Sequence, residues 1–139
     1  MTAKEYLSKV YVIQQRLKRL QRQREELRND LYSIKSPSFD PNKVQTSLEG
    51  DKMAALVAKV DELEREIVDE TEELIDERQD ILDHIERLTN ERYKQLLFDR
   101  YVLCDKFEKI ALERDKGIRW IYRMHGNALK AFEKVINDH

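Results

Sequence analysis

Apolar residues recur every three or four positions through most of this chain, the period of an α-helix with one covered face. In the first segment Leu7, Val10, Ile13, Leu17, Leu20, Leu27, Leu31 and Ile34 keep that step, with Arg24 as a polar interruption. In a second, Met53, Leu56, Val60, Leu63, Ile67, Leu74, Ile81, Ile85 and Leu88 keep it again, interrupted near Thr71 and Arg78. Both stripes are narrow, the width of a coiled-coil seam. At ~1.5 Å per residue, helices over about 4–35 and 53–89 reach roughly 45 and 55 Å, long enough to pair side by side. Ser36, Pro37, Ser38, Pro41 and Gly50 lie between them and mark 36–52 as a loop.

The end of the chain carries a different pattern. Ile121, Met124, Ala128, Phe132 and Ile136 fall on one face of a helix, and Phe107, Ile110 and Ala111 repeat the spacing in a shorter one upstream. Arg114-Asp115-Lys116-Gly117 separates the two with residues suited to a turn. A short helix, a tight turn and a longer helix form a helix-turn-helix, whose second helix enters the major groove of duplex DNA. The expected fold is therefore all-α. A long antiparallel, coiled-coil-like hairpin occupies 1–89, and a helix-turn-helix module occupies 90–139.

Charge sharpens this division. The net charge of −2 conceals nine basic and four acidic residues in 1–35, against four basic and thirteen acidic in 53–89. A basic helix carrying Arg16, Lys18, Arg19, Arg22 and Arg28 thus finds an acidic neighbour, which favours their pairing over like-with-like association. That basic run offers a surface for nucleic acid as well, but pairing is preferred because its complement lies in the same chain. Exposed ion pairs are each worth tenths of a kcal/mol and are screened by salt, so the apolar seam must supply most of the stability. Two helices cover little, and apolar edges at Tyr6, Val12, Leu56 and Ile75 point to a homodimer or higher homo-oligomer. The C-terminal module, with eleven basic and eight acidic residues in 90–139, is mildly basic.

Composition excludes other classes. With 39% charged residues, 3 Gly and 2 Pro in 139 residues, the chain favours long exposed helices over a thick core. No apolar run has the length of a membrane span, and Met-Thr-Ala-Lys-Glu-Tyr lacks the apolar stretch of a secretory signal, so a cytoplasmic protein without a membrane partner is expected. The single Cys104 permits no internal disulfide or cysteine-based zinc cluster, and is expected to pack between helices. His84, His125 and His139 have no second ligand at metal spacing, and the acids from Glu70 to Glu77 form a solvated helix face. There is no nucleophile–base arrangement and no Gly-rich phosphate loop. Neither an enzyme, nor a cofactor, nor a metal is expected.

At this point a resemblance becomes specific. The run Asn90-Glu91-Arg92-Tyr93-Lys94-Gln95-Leu96-Leu97-Phe98-Asp99-Arg100-Tyr101 resembles the opening helix of sigma-factor region 4, and Glu108-Lys109-Ile110-Ala111 resembles its Glu-x-Ile-Ala signature. Ile121 to Lys130 is similar to the recognition helix of phage-encoded, sigma-region-4-like proteins of the autolysin-regulator and late-transcription-regulator type. Those proteins also tend to have a long charged helical N-terminal part. The resemblance covers the C-terminal third strongly and the rest loosely. It implies transcriptional control by a phage protein in a bacterial host, with double-stranded DNA as ligand and bacterial RNA polymerase as a further partner. Where such turns usually read Leu-Gly-x-Ser, this chain has Arg114-Asp115-Lys116-Gly117. Asp115 must then adopt the left-handed conformation that glycine takes without strain, Gly117 caps the next helix without a hydroxyl, and Arg114 is expected to pack its stem while its charge reaches water.

The candidate DNA contacts follow. Arg119 and Arg123, one helical turn apart, suit bidentate contacts to guanine, while Tyr122 suits a phosphate or a thymine methyl. Lys116, Arg114 and Lys130 are expected on phosphates, and Asn127 is a further polar candidate on the same helix. Trp120 reads as flanking the core, with a groove contact as the other reading. Two alternative functions fit the same pattern: a DNA-packaging component resembling a small terminase subunit, and a structural or adaptor coiled-coil protein that binds no DNA.

Overall fold

A computed structural model describes residues 1–35 and 47–138, and every regular element among them is helical. Helix α1 spans Ala3–Leu7, α2 Lys9–Lys35, α3 Ser47–Ile85, α4 Glu91–Leu97, α5 Phe107–Glu113 and α6 Ile118–Asn137, with a π-helical turn, Phe98–Val102, directly after α4. The first expected helix is divided at Ser8. The loop expected over 36–52 lies outside the described residues as far as residue 46, and from Ser47 the chain is already helical. At its other end α3 stops at Ile85 rather than at 89, because the chain turns through Arg87 and Leu88 towards α4.

Local chemistry accounts for the helix ends. The Thr2 hydroxyl accepts the Glu5 N–H at 3.2 Å while the Glu5 carboxylate accepts the Thr2 N–H at 3.4 Å, a reciprocal capping box at the start of α1. Asn90 caps α4, its Oδ1 accepting the N–H groups of Arg92 at 2.9 Å and Tyr93 at 3.3 Å. Helix α5 closes in a Schellman arrangement, with the Lys116 N–H on the Ala111 carbonyl at 3.0 Å and the Asp115 N–H on that of Leu112 at 3.2 Å. Asp115 holds the left-handed conformation expected of it, φ 52°.

The chain forms two compact units: residues 1–14 with 73–139, and residues 15–72. The division expected at residue 90 thus falls inside the first unit, which takes in α1, the start of α2 and the end of α3. Nothing in the three-four period changes where these helices change neighbours, so hydrophobic pattern alone did not show it. In this first unit Ala3, Leu7, Val10, Ile13, Ile81 and Ile85 are buried. Helix α6 packs against α1, α4 and α5. Its Phe132, fully buried, meets the Tyr6 ring at 5.8 Å and the His84 ring at 6.5 Å. Around α5, a cluster of Leu96, Ile110, Ala111, Ile121 and Met124 is bordered by Tyr93, Phe107, Ile118 and Trp120.

In the second unit, α2 and α3 are joined by ion pairs: Arg16–Glu70 at 3.0 Å, Arg24–Glu64 at 3.2 Å and Arg28–Glu64 at 2.6 Å. Arg24, the polar interruption of the first stripe, sits at the seam with its charge matched by Glu64. Leu63 and Ile67 are buried, but Leu17, Leu20, Leu27, Leu31, Leu56 and Val60 remain half-buried. No helix among the described residues is long and apolar enough to cross a membrane.

Replacing Asn90 by Ala removes the acceptor for two N–H groups at the start of α4 and is expected to cost about 1 kcal/mol, read as a lower urea midpoint with unchanged slope. Asn90→Asp, which keeps an acceptor, should restore most of it.

Candidate nucleic-acid interface

The face of α6 opposite its buried residues is set by helical geometry. Ile121, Met124, Ala128 and Phe132 face the core, which leaves Arg119, Arg123, Asn127 and Lys130 exposed. At ~1.5 Å rise per residue these positions extend over roughly 16 Å of helix. Among the described residues none of the three cations has an ion-pair partner. The first turn of α6 contains no acidic side chain, and its N-cap, Gly117, makes no side-chain cap. The Trp120 N–H is taken by the Gly117 carbonyl at 3.1 Å, and those of Ile118 and Arg119 before it are left to water or to an anion. The residues that make this strip available are apolar ones on the other side of the same helix.

Tyr122 is about half exposed, and its ring rests edge-on against Phe107 at 5.3 Å. Trp120 borders the buried cluster, as the core-flanking reading expected, and the Lys116 ammonium lies 5.1 Å from its ring centre. Lys116 is exposed.

Arg114 departs from expectation. Its guanidinium does not reach out to water but lies 2.8 Å from Asp99, with 20% and 12% of the two side chains exposed. Asp99 is also held by the Gln95 amide at 2.9 Å. With its charge matched by Asp99, Arg114 is placed to hold the turn, where the expectation had it reaching out to a phosphate. A buried carboxylate requires such a partner, because an unpaired charge loses its hydration without compensation. The signal for it in the sequence was Asp99 itself, a lone acid in the apolar run Leu96-Leu97-Phe98 to Tyr101-Val102.

Three consecutive residues of the π turn grip three parts of the α5–turn–α6 segment. Asp99 holds Arg114 at the turn. Arg100 lies 4.1 Å from the Phe107 ring centre at the start of α5 and donates to the Asp105 carbonyl at 3.0 Å. Tyr101 is hydrogen-bonded to His125 Nε2 of α6 at 2.6 Å. The turn is closed by Leu103 N–H on the Phe98 carbonyl at 3.0 Å and Asp105 N–H on the Asp99 carbonyl at 2.9 Å. Between these, Cys104 adopts a left-handed conformation, φ 58°, with its thiol 3.8 Å from the Tyr101 carbonyl. Nothing in the sequence announced this turn.

The buried end of this network is neutral. Burial, then the nearby positive charges of Arg100 and Lys4, push the His125 imidazole down to about 4, and burial pushes the Tyr101 hydroxyl up to about 12. His125 also meets the Phe107 ring edge-on at 4.8 Å. Through Tyr101 and Phe107 it ties α6 to the π turn and to the start of α5.

No protein-family model matches the chain, and comparisons with curated proteins and with solved structures give no match either.

Breaking the Asp99–Arg114 pair from one side, by Asp99→Asn or Arg114→Met, is expected to cost about 3 kcal/mol in chemical denaturation, and the Asp99→Leu/Arg114→Met double change should recover most of that loss. For His125 the folded-state value lies below the ordinary value of about 6.5, so the folded protein binds fewer protons than the unfolded chain between the two. Stability should decline as pH falls from about 6.5 towards 4, and be insensitive to this group above that range. In His125→Gln this part of the urea-midpoint profile should flatten relative to wild type.

Proposed function

We propose that the chain is a phage-type transcriptional regulator that binds duplex DNA. In this reading α5, the turn at Asp115 and α6 act as a helix-turn-helix of the sigma-region-4 kind, with α6 in the major groove. The α2–α3 pair is an antiparallel hairpin through which the protein oligomerises. The observation that carries the reading is the two-sidedness of α6: its apolar face is buried, while Arg119, Arg123, Asn127 and Lys130 stand exposed on the other side.

Each residue then has a task. Arg119 and Arg123 read base edges, where a planar guanidinium matches the two acceptors of guanine. Tyr122, held by Phe107, touches phosphate or a thymine methyl. Lys116 and Lys130 contact phosphates on either side of the groove, and Asn127 contributes a further hydrogen bond. Arg114 acts from behind through Asp99, fixing the angle at which α6 leaves the turn. A mildly basic module gives modest, salt-dependent affinity by itself, which two copies on paired half-sites would strengthen. Bacterial RNA polymerase is the second partner that the sigma-like resemblance implies, and the host cytoplasm is where both occur.

Fluorescence anisotropy against phage genomic fragments at fixed salt tests this directly. Arg119→Ala/Arg123→Ala is expected to weaken specific binding at least ~30-fold, since each bidentate base contact is worth about 1–3 kcal/mol. Lys130→Ala should weaken all sequences alike and lower the salt slope by about one. Unchanged affinity in the double variant, or no binding by wild type at low salt, would remove α6 from any DNA interface.

A further inference from the structure

One lateral side of the α2–α3 unit carries exposed Tyr32, Val57 and Val68. On α2, Lys18, Gln21, Glu25, Arg28 and Tyr32 follow one another at three- and four-residue steps, and on α3 so do Val57, Asp61, Glu64, Val68 and Thr71. Each set therefore occupies one side of its helix, next to the seam but not part of it. The Arg28–Glu64 ion pair, at 2.6 Å, joins the two sets and places them on the same side of the unit. Tyr32, Val57 and Val68 are 75%, 41% and 54% exposed there. Beneath them most of the seam is only half-buried.

We infer that this side is the interface with a second copy of the chain, stacked so that α2 of each copy lies on α3 of the other. This rests on the oligomeric part of the function proposed above and specifies its surface. Charge identifies the occupant. Residues 15–35 hold seven basic and three acidic side chains, and residues 47–72 three basic and nine acidic. Stacking α2 on α2 would set basic against basic and acidic against acidic. A two-fold axis running along the helices avoids both and makes every neighbouring pair opposite in charge. The ion-pair register, in which residue numbers rise on α2 as they fall on α3, then brings Tyr32 of one copy to the level of Val57 of the other. It also brings Arg28 to the level of Asp61. The half-buried leucines of both seams become the interior of a four-helix bundle.

Light scattering on the full chain, without DNA, tests the proposal. Wild type should show twice the 16.7 kDa chain mass. Val57→Glu/Val68→Glu, which alters only exposed positions, should show the single-chain mass with its helical circular dichroism retained. In a Cys104→Ser background, a Tyr32→Cys chain mixed with a Val57→Cys chain should form a mixed disulfide, while Val57→Cys alone should not cross-link to itself. A wild type of single-chain mass, a Val57→Glu/Val68→Glu chain that stays dimeric, or Val57→Cys self-cross-linking would each overturn it. So would Lys18→Glu lowering DNA affinity with no effect on association, which would make this side a nucleic-acid contact. DNA affinity is measured separately on Arg119→Ala/Arg123→Ala. A monomer that still binds DNA through α6 therefore defeats this inference alone.

Discussion

The first unit depends on the burial of one face of α6. Ile121, Ala128 and Phe132 have no exposed surface, and Met124 has very little. Apolar burial of this kind contributes about 1.5–3 kcal/mol for each large side chain. Once that face is fixed, the side of α6 that points outward is set with it, and the outward strip from Arg119 to Lys130 is a geometric consequence. The binding face proposed for α6 is thus set by residues that would never touch a ligand.

What hydrophobic burial leaves loose, polar contacts tighten. Apolar contacts are tolerant of small rotations, whereas hydrogen bonds and ion pairs are directional. The π turn supplies three such contacts from neighbouring residues, to Arg114, to the start of α5 and to His125. Widening the helix by one residue per turn places consecutive side chains where a regular α-helix would not, a use that π turns often serve near functional sites. In the proposed regulator, this is how the angle of the reading helix would be held without a glycine at the left-handed position of the turn, which Asp115 occupies.

The second unit is built on other terms. Its ion pairs select which helix lies beside which, yet they stay partly exposed and add modest stability. Its seam is the main apolar resource, and among the described residues of that unit the two helices bury only Leu63 and Ile67 of it. A pair of helices has no third wall. The exposed valines beside Glu64 and the opposite charges of α2 and α3 are both accounted for by the stacked dimer inferred here.

Much of the architecture was legible in the chain. The three-four period marked each long helix, Arg114 to Gly117 marked the turn with Asp115 left-handed, and the spacing of Ile121 to Phe132 marked the buried side of α6 together with its exposed cations. These features are local, set by the backbone period and by what each residue's own geometry permits. Tertiary structure decided which helix segments share a core, how Arg114 is used, and where the π turn falls. Periodicity says that a face is covered without saying by what, so the inclusion of residues 1–14 and the end of α3 in the first unit could not be read from it. An arginine beside a turn is equally suited to water, phosphate or a carboxylate. Only the approach of Asp99, fifteen residues earlier in the chain, determined its partner.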